Sequence, residues 1–294
     1  MQLCALNSEQ TLVFANKATK HTNYKCRECG QNVRVRGGIH RQPHYYHLQP
    51  NRACKQHSKG MAHLMLQQFL KKQLPEGEVE LEHRFPEIGR IADVAWIPKR
   101  LIYEIQCSPI TSEEIEKRNA SYAAIGYQVV WIFHDSRYNQ VRLTAAENTL
   151  LNHPHYFSNM NAMGEGKIYD QFAIFRKGKR AHRLPKTAVD LSSPYLLSIE
   201  DSLLREKLPN PLFEKIKLCP LVFCGDSIDR CLKLDEAAWK EFENQVLWKQ
   251  EIEALFQRTS RFFRAMDFLK WGCYRWIVLP YLSLLRLFLE RACR

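Results

Sequence analysis

Hydrophobic positions between residues 58 and 133 switch period several times, and each switch marks an element. From Ser58 to Gln73, Met61, Leu64, Met65, Phe69 and Leu70 recur at intervals of three and four, which predicts a helix stopped by Pro75-Glu76-Gly77. Strand-like runs follow at Val79 to Phe85, Ile91 to Ile97 and Leu101 to Gln106. A helix from Ser112 to Ile125 comes next, closed by Gly126 and opened by Thr111-Ser112-Glu113-Glu114, which sets carboxylates on the positive end of the helix dipole. A strand from Tyr127 to Phe133 ends the series. Helix, three strands, helix, strand is one compact α/β unit.

The flanks have a different texture. The first 15 residues alternate as a hairpin through Ser8-Glu9-Gln10, and residues 1–57 are rich in Cys, His and base with little to form a conventional core. From Asp135 to Gly166 the order is lost, through Asn139, Asn152-His153-Pro154 and Asn159, as at a boundary or a long loop. Ile168 to Leu184 reads as a hairpin turning at Lys177-Gly178-Lys179, and a long helix starts at Asp235 with Trp239, Phe242 and Val246 on one face. The expected organisation is a small Cys/His domain over 1–57, an α/β core over 58–138 and a mainly helical region over 139–294.

A chain of 294 residues can bury a sizeable core without disulfide staples. Its charge is unusual: 43 Lys plus Arg against 31 Asp plus Glu gives +12. The excess gathers between Lys17 and Lys59 and between Arg258 and Arg294, which makes both ends candidate surfaces for a polyanion. The first residues, Met1-Gln2-Leu3-Cys4-Ala5-Leu6, lack the basic and apolar regions of a secretory leader, so the ten cysteines read as reduced thiols of a cytoplasmic protein. The most apolar stretch, Trp276 to Leu289, contains Pro280 and Arg286 and is too short for a membrane span. It reads as a buried helix, with a membrane-surface helix as the alternative.

Two constellations carry chemistry. Cys26-Arg27-Glu28-Cys29 is a C-x₂-C knuckle, and His44-Tyr45-Tyr46-His47 supplies an imidazole pair after a strand-and-turn segment. Soft thiolates and imidazoles at this separation suit a tetrahedral Zn²⁺, which would also give this core-poor segment folding free energy. Cys26, Cys29 and His47 are its expected ligands, with His44 or Cys54 fourth and His57 a further candidate. Cys219, Cys224 and Cys231 lack such a spacing and read as ordinary burial. The second constellation is Asp93 in one apolar run with Glu104 and Gln106 on one face of the next. Paired as a hairpin, they bring two hard oxygen ligands together for Mg²⁺ or Mn²⁺, with Gln106 aimed at a scissile phosphate. Arg118 and Tyr122, four apart on the following helix, can present charge and an aromatic platform to a phosphate backbone.

The order of these features resembles the competence protein CoiA family over residues 1 to about 135. The resemblance rests on the knuckle, the His-aromatic-x-His element, the helix carrying His63, Arg90-Ile91-Ala92-Asp93-Val94, and Glu104-Ile105-Gln106-Cys107-Ser108-Pro109. Lys117-Arg118-Asn119-Ala120-Ser121-Tyr122 and Gly126-Tyr127-Gln128-Val129-Val130-Trp131-Ile132 extend it. It implies a restriction-endonuclease-like core of the PD-(D/E)XK type and a metal-dependent nuclease acting on incoming DNA in natural transformation. Asp93 and Glu104 would ligate Mg²⁺, and Arg90, Arg118, Tyr122 and His63 would face the nucleic acid. Gln106 stands where many such cores carry lysine, and the first helix offers His63 in place of a carboxylate. That leaves charge stabilisation to the metal and Arg118. The alternative function is a non-catalytic DNA-binding adaptor whose C-terminal helices recruit recombination or DNA-uptake proteins.

Overall fold

The computed structural model describes residues 1–38, 41–49, 51, 53–54, 59–176, 178–198, 208 and 210–233, with isolated positions at 272, 275, 276 and 280. By its contacts the chain forms two units, Met1–Leu234 and Asp235–Arg294. The helix expected from Asp235 and the stretch from Trp276 to Leu289 lie outside the described residues, isolated positions apart. Among the described residues no helix is long and apolar enough to cross a membrane.

The N-terminal segment forms a five-stranded antiparallel sheet in the order β2-β1-β3-β4-β5, from β1 Cys4–Leu6, β2 Leu12–Phe14, β3 Tyr24–Lys25, β4 Asn32–Gly38 and β5 Arg41–His47. Its core is small: Ala5, Ala15, Tyr24, Val33, Val35 and Tyr45, joined by Cys26 and Cys54.

The α/β unit follows the sequence pattern closely. Helix α1 is Met61–Gln73, strands β6 to β8 are Val79–Phe85, Arg90–Trp96 and Leu101–Gln106, helix α2 is Ser112–Ala124 and β9 is Gln128–His134. Strands β6, β7 and β8 form an antiparallel meander, and α2 is the crossover that lets β9 run parallel to β8. All six residues of β8 are buried, as expected of a strand covered on both faces. Leu64, Leu66 and Leu70 of α1 pack against Val94, Tyr103, Ile105, Val130 and Ile132 on one side. Ile115 and Tyr122 of α2 share the other side with Ala95, Ile102, Trp131 and Phe133. Thr111 accepts a hydrogen bond from Glu114 N at 3.2 Å and so caps α2. Gly126, at φ +78°, releases the chain into β9 in a conformation that disfavours a side chain.

Beyond residue 135 the pattern reading needs correction. The seven-stranded sheet, in the order β14-β11-β10-β9-β8-β7-β6, continues through β10 His155–Ser158, β11 Ile168–Asp170 and β14 Thr187–Ala188. A five-residue helix, α3 Ala145–Thr149, and β10 itself lie in the stretch from Asp135 to Gly166 where the sequence shows no pattern. Only part of the expected 168–184 hairpin forms: β12 Ala173–Arg176 pairs with β13 Lys179–Arg183, while Ile168–Asp170 joins the main sheet. A further pair, β15 Asp190–Leu196 with β16 Leu221–Cys224, is flanked by α4 Asn210–Leu218 and α5 Ser227–Lys233. The described part of 139–233 therefore mixes short strands with three short helices, where a mainly helical region was expected. Strands and helices of two to nine residues are too short to leave a clear period.

Arg180 ties the β12–β13 hairpin to α3. It pairs with Glu147 at 2.6 Å, the two side chains being 3% and 1% exposed, and Glu147 also accepts from Asn139 N and Thr144 N. Replacing Arg180 by Met should cost about 3 kcal/mol, because Glu147 would remain buried with its charge uncompensated. Urea unfolding of the variant beside the wild type checks this.

Candidate active site and metal centre

Asp93 sits where β7 releases both neighbours. The β7–β8 ladder ends at Val94 opposite Tyr103, and the β6–β7 ladder pairs Leu81 with Val94 and His83 with Ala92 but leaves out Glu82 and Asp93 between them. Glu82 adopts φ +51°, the left-handed region that non-glycine residues seldom occupy. The Asp93 side chain replaces the lost backbone pairing, Oδ2 accepting from Ile105 N at 2.9 Å. Oδ1 accepts from Lys59 Nζ at 2.8 Å and Gln67 Nε2 at 3.4 Å, and lies 3.1 Å from His63 Nε2. Lys59 also reaches Glu82 Oε1 at 3.2 Å.

Glu104, 1% exposed, is held from the α2 side. Arg118 donates to its Oε2 and Tyr122 OH to its Oε1 at 2.8 Å. Arg118 and Arg90 both donate to Glu114, which fixes the two guanidinium groups side by side. Burial pushes the Asp93 carboxyl up, but the charges and hydrogen bonds of His63 and Lys59 overcome it and hold the group well below the usual carboxylate range. Burial raises Glu104 above its ordinary value, and Arg118 only partly offsets the effect. Two carboxyls with opposite proton preferences thus lie at one site, a division seen where acid and base roles are separated.

A cavity of about 90 Å³ opens at this point, lined by Lys59, His63, Arg90, Asp93, Gln106 and Arg118, with Glu28 at its rim. Glu104 lies outside the lining and meets the cavity through Arg118. Gln106 donates both amide hydrogens to Ser108, to the carbonyl at 2.7 Å and to Oγ at 3.0 Å, so what it can still offer a ligand is its acceptor oxygen. Gln67 Oε1 is buried without a hydrogen-bond partner. Asp93 and the Gln106 amide oxygen at the cavity, with Glu104 behind Arg118, are hard donors of the kind Mg²⁺ or Mn²⁺ takes, provided the cations now on the carboxylates move aside.

Arg90, Arg118 and His63 reach the cavity, as a phosphate-facing role requires, although His63 is turned to Asp93. Tyr122 does not: it is fully buried, and its hydroxyl orients Glu104, so it cannot serve as a stacking platform. Lys59, Glu82 and Glu28 escape the sequence pattern. Lys59 and Asp93 are 34 positions apart, and in the sequence Lys59 is one more base in a basic stretch.

The second centre lies in the N-terminal sheet. Cys26, Cys29, His47 and Cys54 bring one ligand atom each within 4.8 Å of one another. Cys29 Sγ is 3.2 Å from His47 Nε2, and Cys26 Sγ is 3.8 Å from Cys54 Sγ. Three thiols and one imidazole fit a structural Zn²⁺. The expectation of His44 as a ligand is corrected here: His44 and His47 are three apart on one strand and therefore face opposite ways. His44 is instead buried, accepting from Arg36 Nε at 3.0 Å. His57 lies outside the described residues. The knuckle also touches the first centre, for Arg27 donates to Glu82 O at 2.9 Å and Glu28 is the cavity's rim residue. Elemental analysis should find that Cys54→Ser loses bound zinc while His44→Ala keeps it.

No curated protein and no solved structure matches the chain. Residues 54–167, which hold Cys54, both carboxylates, the cavity residues of the α/β unit and strands β6 to β10, match the family model described as "Competence protein CoiA, nuclease-like domain", so that over this stretch the chain is similar to the competence protein CoiA family.

Proposed function

We propose that the chain is a divalent-metal-dependent deoxyribonuclease acting on incoming DNA in natural transformation. The observation that carries this reading is buried Asp93 at a cavity it shares with Lys59, His63 and Arg118 where β7 and β8 part, with buried Glu104 behind it on Arg118, all inside the family-matched residues. The order α1, three-stranded meander, α2 and parallel β9 supports a restriction-endonuclease-like core, in which catalytic carboxylates come from neighbouring strand ends. Asp93 and Glu104 would hold Mg²⁺ or Mn²⁺, which supplies Lewis-acid polarisation of a phosphodiester oxygen. The remaining work falls to the chain's own groups. Arg118 and Arg90 neutralise phosphate oxygens, tied in place by Glu114. Gln106 Oε1 accepts a hydrogen bond from the attacking water and orients it, its amide nitrogen anchored on Ser108. The zinc-binding sheet, with Lys17, Lys20, Lys25, Arg34 and Arg36, extends the grip on the DNA backbone.

A second reading is favoured by one observation: each carboxylate already carries a cationic partner. In that reading the site grips phosphate without cutting, and the protein is an adaptor for recombination or uptake proteins. The isosteric variants Asp93→Asn and Glu104→Gln separate the two. For the nuclease, each should lower Mg²⁺-dependent cleavage by roughly 10³-fold or more with the fold retained, as expected when a group at the reacting centre is lost. A wild type that binds DNA but leaves single-stranded, duplex and branched substrates intact with Mg²⁺ or Mn²⁺ identifies the adaptor. DNA affinity should also fall steeply with salt, with a linear log–log slope that becomes shallower when Arg34 and Arg36 are replaced, as measured by fluorescence anisotropy.

A further inference from the structure

Asp93 has little left to give a metal. Its two oxygens meet Lys59, His63, Gln67 and the Ile105 amide. Three of these partners are fixed: Ile105 N belongs to the backbone, and Gln67 and His63 are 0% and 5% exposed in helix α1. Lys59 is different. It precedes α1, lines the cavity and ends in a flexible four-carbon stem. Asp93 and Glu82 account for two of its three N–H donors, and a turn toward the cavity leaves Glu82 with the Cys4 thiol at 2.9 Å and the Leu3 amide at 3.5 Å.

Building on the metal-binding reading of Asp93, we infer that Lys59 is a built-in counter-cation that occupies the divalent ion's place and yields it when a phosphodiester enters the cavity. The phosphate offers the ammonium a new anion on the cavity side, so Asp93 becomes free to ligate as the substrate arrives. Metal and phosphodiester then bind with positive coupling, and Lys59 is the residue that carries it.

Mn²⁺ titration calorimetry of the full chain, with and without dimethyl phosphate as a minimal phosphodiester, tests this without relying on cleavage. Wild type should bind Mn²⁺ more tightly when dimethyl phosphate is present. Lys59→Met should bind Mn²⁺ on the order of tenfold or more tighter than wild type in its absence, the scale of removing one unit charge from a buried carboxylate. The gain from dimethyl phosphate should shrink in that variant. Because Lys59→Met leaves Glu82 buried without its lysine counter-charge, the double variant Lys59→Met/Glu82→Gln removes both charges and should behave alike, with thermal melting reporting its fold. Lys59→Arg keeps the charge and should bind Mn²⁺ within a few-fold of wild type. Mn²⁺ affinity unchanged or weaker in the folded double variant, or a dimethyl phosphate effect as large as in wild type, overturns the role of Lys59. Absence of Mn²⁺ binding in wild type and every variant overturns the metal-site reading itself, and the inference with it.

Discussion

Putting two carboxylates into the middle of a covered sheet is the constraint from which the rest of the site follows. A lone buried carboxylate would take up a proton or force the chain apart, so each is met by a dedicated set of donors. Asp93 is served from the α1 side and Glu104 from the α2 side. The two helices thus do more than cover apolar faces: α2 brings Arg118 to Glu104, and Lys59, just ahead of α1, brings the compensating charge to Asp93 beside His63 and Gln67 of the helix itself. The gap in the ladder at Asp93 belongs to the same arrangement, since a side chain that takes a backbone amide from the adjacent strand stands where a regular pair would have closed the cavity.

The left-handed Glu82 fits this scheme. Its backbone carbonyl turns to Arg27 and its carboxylate to Cys4 and Lys59, so one strained residue connects the knuckle, the first strand and the cavity. Strain of this kind persists only where the surroundings over-determine it, and here three separate segments do so.

Much of this was legible in the sequence, because the α/β unit is built from long, strongly patterned elements. The bounds of β6, β8 and the end of α1 appear in the hydrophobic period itself, and the acidic residues stand out because β8 is otherwise apolar. Short elements left no such trace: β10 is four residues and α3 five, and they are fixed by the parallel neighbour β9 and by the Thr144–Glu147 capping box. The choice between His44 and Cys54 was decidable from strand parity once β5 was known to be extended, but the spacing alone looked equally good. Lys59 was out of reach, because its meaning comes from two partners on other strands and not from its neighbours in the chain.

The contact between the knuckle and the cavity has a consequence for how the molecule depends on its surroundings. The residue that rims the cavity and the one that buttresses Glu82 are the two placed between Cys26 and Cys29, a turn whose shape is set by whatever those sulfurs hold. On the proposed reading of the two centres, a metal held by those sulfurs would also shape the wall that the knuckle forms. The mouth of the cavity would then be as well defined as the loading of the cysteines allows, and the supply of that ion would be a condition on whatever the cavity does.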